Sequence, residues 1–440
     1  MFNKNDEFEV NIIDYGRDGE GIAKVDNFTL FIPGAMKGER CKIHVTKVNK
    51  NFGFAKLIEV IEKSKERCSP DCKSFPRCGG CALRHMTYNE TLKIKKYIVE
   101  NLANKMLNQN VRVNDCVGCE DNKYYRNKAI YPVSKDGIVG TFASRSHYVL
   151  PLNDCKIQSK ISQNIAKHIT TNWKGSFYDE ETQKGELRNI MIRTGINTDE
   201  VMVVVVLNGD ELKFNVDELL EHYPQIKTII INKQTANTNV ILSRNNIVVY
   251  GEGYIHDKIG DNIFKISPNS FFQINNEQTE KFYKFAIDSL NLKENDIVCD
   301  LYCGIGTIGI SIADKVKKVY GIEIVEEAIA DAKENAALNN INNIEFIQGD
   351  CEQAFKELLE KDVVPTAIIV DPPRSGLDET TVNNLNKLKL EKLSYISCNP
   401  ATLMRDLHML EDTYTITSLT PVDNFCYSSS IETVATLERK

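Results

Sequence analysis

The 440-residue chain lacks any long hydrophobic run. No apolar stretch approaches the roughly 18–20 residues that a transmembrane helix needs, so we expect no bilayer-spanning segment. The N-terminal segment MFNKNDEFEV also lacks the apolar core that a secretory signal peptide carries. These two absences lead us to expect a cytosolic protein rather than a membrane or secreted one.

The chain also lacks an excess of positive charge, because its 54 Lys and Arg are outnumbered by 61 Asp and Glu, a net charge of −7. The net negative charge argues against a protein that coats nucleic acid through bulk electrostatics. It does not exclude basic surfaces on part of the molecule. Residues 37–65 hold eight basic residues against three acidic ones, so their net charge is 8 − 3 = +5. Charge alone leaves open whether this is a binding surface for nucleic acid or a solvated face. The basic residues are Lys37, Arg40, Lys42, Lys47, Lys50, Lys56, Lys63 and Lys65.

Patterning divides the chain into regions, with no internal repeat and no low-complexity segment. Its length suggests about three domains. Residues 7–60 alternate apolar and polar positions between glycine-containing turns, which predicts a small closed barrel of about five strands. A helix is expected at 88–106, and residues 124–265 look mostly β. From about 275 strands alternate with helices, which indicates a parallel sheet covered on both faces and ending in an antiparallel pair.

A glycine-rich loop follows the first strand of this last region. DLYCGIGTIGI places Gly304, Gly306 and Gly309 in a G-x-G-x-x-G pattern, and Glu323 ends the next strand, 19 residues after Gly304. The glycines allow close backbone approach to a cofactor, and the acid can bind ribose hydroxyl groups. This motif by itself fits NAD and S-adenosylmethionine equally well.

The later strand ends favour S-adenosylmethionine. Asp350 ends the third strand, where a carboxylate can accept a hydrogen bond from an adenine amine. Asp371 ends the fourth strand and begins Asp-Pro-Pro-Arg, where two prolines stiffen a loop able to hold a flat substrate. A nicotinamide enzyme has no obvious need for that loop. A mere turn is the alternative, but it is disfavoured at the carboxyl edge of a parallel sheet.

Two further residues reach the same edge. Cys398 ends the fifth strand in YISCNPATL, and Glu432 begins an otherwise apolar strand in SIETV. A single cysteine is more commonly a core residue, and a glutamate at a strand start is usually solvated. The polar strand ends around Cys398 favour a nucleophile instead, with Glu432 facing the same cleft.

The thirteen cysteines are better explained as metal ligands, catalytic groups or core residues than as disulfides in a cytosolic chain. Cys72, Cys78 and Cys81 lie in a loop rich in Pro and Gly, with Cys155 far downstream. Four thiolates suit an iron–sulfur cubane or tetrahedral zinc, and the spacing alone favours zinc. Cys68 is a spare candidate, and the separate Cys116-x2-Cys119 pair is interpreted as incidental.

Taken together, these motifs resemble the RNA (uracil-5-)-methyltransferase family, specifically its 23S ribosomal RNA branch with an iron–sulfur cluster. The resemblance covers nearly the whole chain. It extends over CKSFPRCGGC, NDC, YYRNKAIYPV, SRSHYVLP, SPNSFFQINNEQTEKFY, DLYCGIGTIGI, DPPRSGL and SCNPATLMRDL. It implies an α/β fold with a C-terminal Rossmann-like class I methyltransferase domain (266–440). It also implies an N-terminal TRAM, OB-like barrel that binds RNA (1–62) and a central mostly-β domain with the iron–sulfur loop (63–265).

The resemblance also implies roles for individual residues. Cys398 is the nucleophile that adds to carbon-6 of uracil, and Glu432 is the base that removes the carbon-5 proton. A [4Fe–4S] cluster replaces zinc as the expected group on the four cysteines. Arg126 and Lys128, beside Tyr124 and Tyr125, suit RNA contacts by charge and stacking. The expected contacts to S-adenosylmethionine are Gln273, Tyr302, Thr307, Glu323, Asp350 and Asp371, with Gly304 and Gly306 in the loop.

The chain departs from the family pattern just before the expected base. Cys426 stands where proline is usual, and Ser430 stands where histidine is usual, so the far side of the pocket differs. Other functions stay open at this point. They are a uridine methyltransferase for the tRNA T-loop, an RNA-binding or redox-responsive module that retains an inactive methyltransferase fold, and a dinucleotide-dependent oxidoreductase.

Overall fold

The computed structural model describes residues 3–360, 363–388 and 390–440. Within these ranges, no helix is both long and apolar enough to cross a membrane. The helices and strands fall into an N-terminal barrel, a central sheet with two helices, and a large C-terminal sheet with helices on both faces.

The N-terminal barrel is one curled sheet whose strand order is β1-β5-β6-β4-β3-β2. The Ile13 N–H group bonds to the Ile22 carbonyl oxygen at 2.8 Å, which joins the chain after β1 to β3 on the opposite side. Alternate strand residues fill its core, including Leu30, Ile32 and Ile43. The predicted small barrel is confirmed, although the sheet has six strands rather than five because β2 is a two-residue strand. The strands are β1 (Glu7–Asn11), β2 (Asp14–Tyr15), β3 (Gly21–Val25), β4 (Phe28–Ile32), β5 (Arg40–Val48) and β6 (Phe52–Glu62).

The central region begins with helix α1 (Tyr88–Met106), which matches the predicted helix. The sheet that follows has the order β13-β12-β11-β10-β7. Helices α2 and α3 cover one face of it and were not predicted, because α2 reads KISQNIAKHITTN, where β-branched and polar residues obscure the helical period. The elements are β7 (Lys128–Pro132), β8 (Gly140–Phe142), β9 (Val149–Pro151), α2 (Lys160–Asn172), β10 (Leu187–Thr194), β11 (Val201–Leu207), α3 (Val216–His222), β12 (Ile226–Lys233), β13 (Asn246–Tyr250), β14 (Ile255–Ile259) and β15 (Asn262–Ile266).

The C-terminal sheet has the order β18-β17-β16-β19-β20-β22-β21. Its first five strands are parallel and β22 is antiparallel to both neighbours, which confirms the predicted pattern. Strand order reverses between β16 and β19, so a ligand crevice is expected at their carboxyl ends. The elements are α4 (Asn276–Leu290), β16 (Ile297–Leu301), α5 (Thr307–Ile312), β17 (Lys318–Glu323), α6 (Glu326–Leu338), β18 (Ile344–Gln348), α7 (Cys351–Glu360), β19 (Ala367–Val370), α8 (Glu379–Leu388), β20 (Lys392–Ser397), α9 (Pro400–Leu410), β21 (Tyr414–Val422) and β22 (Glu432–Arg439).

Two contacts join these regions. On α1, Ile94 and Ile98 share a buried apolar cluster with Leu403 and Leu407 of α9. The face of the central sheet that α2 and α3 leave uncovered packs, through Met202 and other residues, into the cluster that surrounds the β14–β15 hairpin and α4. Tyr15 and Met36 of the N-terminal barrel belong to the first of these clusters, so the barrel and the central region both pack against the C-terminal domain.

Candidate active site

The glycine loop after β16 adopts a backbone conformation that favours glycine. Tyr302, Gly304 and Gly306 have φ angles of 66°, 54° and 83°, in the left-handed region. The Gly304 N–H group donates to Oε2 of Glu323 at 3.1 Å. The loop and the acid at the end of β17, which were expected to serve one pocket, are therefore in direct contact.

Two residues that sequence reasoning missed support this loop. Asp300 on β16 is buried and accepts a hydrogen bond from the Gly309 N–H group at 2.9 Å. Burial raises the pKa of Asp300 to about 8. The Tyr283 hydroxyl of α4 lies 2.7 Å from Oγ1 of Thr307, the first residue of α5. Asp300 could have been identified from the sequence, because it is an acidic residue within the apolar strand IVCDL. Nothing in the sequence around Tyr283 indicates its contact with Thr307.

Two further residues expected in the cofactor pocket lie at the strand ends on either side of Glu323. Asp350 is exposed just before α7, and the preceding Gly349 N–H group donates to the Glu323 carbonyl oxygen at 3.0 Å. The Tyr302 hydroxyl reaches Oδ2 of Asp378 at 3.4 Å. Glu323, Asp350 and Tyr302 thus lie at the carboxyl ends of neighbouring strands, as the sequence predicts.

A polar chain runs from Asp371 toward β22. Gln273 is buried and donates from Nε2 to Oδ2 of Asp371 at 3.5 Å. Asn424, which follows β21, donates to Oε1 of Gln273 at 3.5 Å. Burial raises the pKa of Asp371 to about 7. Gln273 and Asp371 are therefore in direct contact, and Asn424 extends this chain toward β22.

Cys398 follows β20 in a loop held from two directions. The Asn399 amide donates to the Arg374 carbonyl oxygen at 3.0 Å, and Oγ1 of Thr402 donates to the same oxygen at 3.2 Å. Asn399 also caps α9 by accepting from the Ala401 N–H group at 3.2 Å. The Asp-Pro-Pro-Arg loop and the cysteine loop are therefore fixed against each other.

The charges of Asp371 and Glu432 act on Cys398, and the charge of Asp371 acts on Glu432. Burial raises the pKa of Cys398 to about 11, and the charges of Glu432 and Asp371 act in the same direction, whereas Arg374 opposes them. Glu432 is only 3% exposed, and burial together with the Asp371 charge raises its pKa to about 8. A carboxyl group that titrates near neutral pH suits a general base.

A cavity of about 200 Å³ opens beside the nucleophile candidate. Its wall combines Cys398 and Arg374 with Ser430, which stands where the family pattern has histidine. Arg17 of the N-terminal barrel also lines it, a contribution that the sequence did not indicate. The cavity offers a thiol and positive charge around one small space, and Glu432, whose pKa is raised, begins β22 directly after Ile431 of the wall. This combination suits covalent catalysis with proton transfer.

The four candidate metal-ligating cysteines line a second, larger cavity of about 810 Å³. All four are free thiols, and the structure brings Cys155 from the central region beside the loop that carries the other three. The sulfur of Cys78 accepts hydrogen bonds from the Gly80 N–H group and the Thr141 hydroxyl, both at 3.4 Å. Such donors stabilise thiolate ligands of a cluster. The four residues are Cys72, Cys78, Cys81 and Cys155.

Arg126 and Lys128 line this same cavity rather than an open surface. Burial lowers the pKa of Lys128 to about 7, with the Arg193 charge acting in the same direction. Tyr125 is buried, and its hydroxyl donates to the Cys426 carbonyl oxygen at 3.3 Å, so the interpretation of Tyr125 as a base-stacking residue is wrong. Tyr124 is half-buried, with the Lys160 ammonium 4.8 Å from its ring centre.

Cys119, which was interpreted as incidental, contacts the loop that precedes Glu432. Its sulfur lies 3.1 Å from that of Cys426, and both residues are buried. The Asn275 amide donates to the Cys119 sulfur at 3.2 Å. The thiol at position 426, where the family pattern has proline, is therefore packed against a second thiol rather than exposed to the cavity.

A mostly parallel sheet with an antiparallel last strand, a glycine loop paired to an acid, and polar strand ends around one crevice define a class I methyltransferase. The N-terminal barrel adds an RNA-binding type of module. Residues 87–440 match the model of the tRNA (Uracil-5-)-methyltransferase family, and residues 2–58 match the TRAM domain. The chain belongs to this family of S-adenosylmethionine-dependent RNA methyltransferases.

Relatives of full length agree with this membership. The chain is 41% identical to an uncharacterised RNA methyltransferase of Halalkalibacterium halodurans, over 100% of this chain and 98% of the relative. It is 39% identical to one of Staphylococcus aureus, over 99% of each. A solved structure, the Pyrococcus abyssi tRNA (uracil-54, C5)-methyltransferase with S-adenosyl-L-homocysteine, matches with a TM-score of 0.78 and 26% identity, covering 98% of this chain and 99% of that one.

Proposed function

We propose that the protein methylates carbon-5 of a uridine in 23S ribosomal RNA. The observation that carries this proposal is the grouping of Cys398, Asp371 and Glu432 at one edge of the sheet. Cys398 and Glu432 adjoin the paired residues Ser397 and Thr433 of neighbouring strands, and Asp371 follows the end of β19 on the other side of β20. A thiol and a carboxyl group on either side of a flat base are what methylation of uracil carbon-5 requires, because that carbon is a poor nucleophile until carbon-6 is attacked.

In the proposed reaction Cys398 forms and breaks a covalent bond to the base, and Glu432 removes a proton. The Cys398 thiolate adds to carbon-6, and the electron pair of the carbon-5–carbon-6 double bond makes carbon-5 nucleophilic. S-adenosylmethionine supplies the methyl group as an electrophilic carbon on a sulfonium. Glu432 then removes the carbon-5 proton, the double bond re-forms, and the Cys398 thiolate leaves. The target base must leave its stack to reach these residues.

The cofactor pocket that we propose lies around the glycine loop. The left-handed backbone at Gly304 and Gly306 supports close approach of the cofactor, and we propose that Glu323, which contacts this loop, accepts from ribose hydroxyl groups. We propose that Asp350, which follows β18, accepts a hydrogen bond from the adenine amine. Gln273, Tyr302, Thr307 and Asp371 complete the proposed contacts.

For the four-cysteine cavity we propose a [4Fe–4S] cluster, with zinc as the alternative. Tetrahedral zinc at about 2.3 Å from each sulfur would bring thiolates within about 4 Å of one another. Within the part of the chain that the structure describes, the one group of three ligand atoms within 4.8 Å is His168, Glu218 and His222, on α2 and α3. No three of the sulfurs of Cys72, Cys78, Cys81 and Cys155 lie within 4.8 Å of one another. This separation supports a cubane, whose thiolates bind different iron atoms, over a single zinc ion.

The domain division that we propose follows from these sites. Residues 1–62 form the TRAM barrel that contacts RNA, and residues 63–265 carry the cluster and a further RNA-binding surface with Arg126 and Lys128. Residues 266–440 bind S-adenosylmethionine and carry the catalytic residues. The four-cysteine loop together with a TRAM barrel is the combination that supports ribosomal RNA as the substrate.

Methylation assays with the Cys398→Ala protein test the mechanism. We expect no transfer of a labelled methyl group to a 23S ribosomal RNA fragment, whereas Cys116→Ala, which replaces a cysteine outside the proposed sites, retains activity. Full methylation by Cys398→Ala would refute the covalent route. RNA binding without methyl transfer by the wild-type protein would instead favour a non-catalytic module.

A tRNA T-loop uridine is the second candidate substrate, and a specific observation favours it. The solved structure that matches over nearly the full chain is described as a tRNA (uracil-54, C5)-methyltransferase. Mass spectrometry of ribosomal and transfer RNA from cells that lack this protein separates the two substrates. Loss of one or two ribosomal 5-methyluridines supports the first, and loss of the T-loop methyl group supports the second.

A further inference from the structure

Lys95 of α1 binds the loop that precedes the proposed base. Its side chain is fully buried, and its ammonium group forms an ion pair with the equally buried Asp423. The same nitrogen donates to the Phe425 carbonyl oxygen at 3.2 Å and to the Ser430 carbonyl oxygen at 2.8 Å. A lysine ammonium has three donors, so all three are used within residues 423–431.

This distribution of partners suggests a specific role. If Lys95 served general stability, its partners could lie anywhere in the fold, yet all three belong to one nine-residue loop. A buried ion pair is also poor support for stability, since well-packed apolar residues often replace one at no cost. The loop starts after Val422 and ends before Glu432, and these two residues are partners in the β21–β22 ladder. Fixing the loop therefore fixes where β22 begins.

The loop also forms one side of the cavity beside Cys398. Ser429, Ser430 and Ile431 line that cavity, and so do Ile98 and Leu102, which follow Lys95 by one and two turns of α1. The helix that holds the loop thus also contributes to the wall. The positive charge of Lys95 additionally favours the ionised form of Glu432.

We propose that Lys95 is a positioning residue for proton abstraction, which holds residues 423–431 in the conformation that directs Glu432 at the carbon-5 proton. The proposal rests on the proposed function, because it requires Glu432 to be the base. It predicts that loss of Lys95 slows release of the methylated base from Cys398 more than it weakens binding of RNA or of the cofactor.

The test compares Lys95→Met with Lys96→Met, which removes the same charge from the next position of α1 but contacts Asp115 and Glu100 instead of the loop. Because Lys95→Met leaves the buried Asp423 unpaired, the double variant Lys95→Met/Asp423→Asn is measured too. Readouts are kcat, KM for RNA, thermal melting, and the covalent protein–RNA adduct on denaturing gels. Glu432→Gln is assayed in parallel.

For the folded Lys95 variants we expect kcat to fall at least tenfold, KM for RNA to change less than threefold, and the adduct to accumulate as in Glu432→Gln. Lys96→Met should resemble the wild type. Wild-type kcat in the double variant, or parallel loss of adduct formation and RNA affinity, would overturn the proposal. Failure of both Lys95 variants to fold would assign the residue to stability alone and overturn it as well. Wild-type turnover by Glu432→Gln would instead refute the proposed base.

Discussion

Arg17 donates a hydrogen bond of 2.8 Å from its guanidinium group to Oδ1 of Asn399, across 382 positions of sequence. Arg17 lies between β2 and β3 of the TRAM barrel, and Asn399 directly follows Cys398. Asn399 uses the same oxygen to cap α9 and its amide to hold the Arg374 carbonyl oxygen. The barrel therefore contacts the loop of the proposed nucleophile directly.

We predict that Arg17→Ala lowers kcat/KM for RNA by about fivefold, since one hydrogen bond of this kind contributes on the order of 1 kcal/mol. Initial rates over a range of RNA concentrations measure the effect. Arg40→Ala is the control, because Arg40 is an exposed barrel residue that pairs with Glu9 and Glu62 rather than with the methyltransferase domain. An equal loss in both variants would show that barrel charge, and not the contact with Asn399, is responsible.

The sequence predicted the parts of the site that rest on local patterns. Gly304 and Glu323 were recognisable because a glycine loop after a strand and an acid at the next strand end have fixed positions in a parallel sheet. Cys398 and Asp371 followed from the same edge, since every parallel strand ends there. The parallel sheet and its antiparallel end were predictable because helices alternate with strands until the last two strands, which have no helix between them.

The missed residues act through contacts between distant segments. Lys95 and Arg17 reach the site from α1 and from the barrel, and nothing in their own neighbourhoods indicates where those elements dock. Tyr125 was misassigned because an aromatic residue beside Arg and Lys fits a stacking surface as well as a core. Its burial against Cys426 depends on the loop after β21, about 300 residues later.

The raised pKa of Glu432 predicts a pH dependence of catalysis. The carboxyl group accepts a proton only when it is ionised, and its pKa is about 8. We therefore expect kcat/KM to rise between pH 6.5 and 8.5, because the protonated, inactive form of Glu432 declines over this range. Rates with limiting RNA in buffers of constant ionic strength measure it. A flat profile over this range would contradict a base of raised pKa.

The same group predicts an opposite trend for stability. In the folded protein Glu432 has a pKa of about 8 instead of its ordinary value of 4.5, so folding is favoured while the group is protonated. This contribution is fully present below pH 4.5 and is lost as the pH rises through 8, at about 1.4 kcal/mol per pKa unit of difference. We expect Glu432→Gln to melt at a higher temperature than the wild type at pH 8.5 but not at pH 5. Glu326→Gln, which replaces an exposed glutamate at the start of α6 with the same pair of residue types, is the control.

The glycine loop predicts a loss of cofactor affinity on a minimal substitution. Gly306 has a φ of 83°, and a Cβ atom there would lie 2.8 Å from the Phe346 ring. Gly306→Ala should therefore weaken binding of S-adenosylmethionine at least tenfold in calorimetric titrations, because the loop must move to relieve the contact. Gly209→Ala is the control, since a Cβ atom at that position meets nothing within 4 Å and its φ is not positive. Unchanged affinity in Gly306→Ala would place the cofactor elsewhere.

The four-cysteine cavity makes the final prediction. Protein purified without oxygen should contain about four iron atoms per chain and the broad visible absorbance of a cubane. Cys78→Ser should remove both, because the sulfur that accepts from Gly80 and Thr141 is lost. Cys116→Ser should keep both, since Cys116 lies outside the four-cysteine cavity. Elemental analysis separates the alternatives. One zinc ion per chain in the wild type would instead show that the four thiolates coordinate zinc tetrahedrally, and it would contradict the cubane.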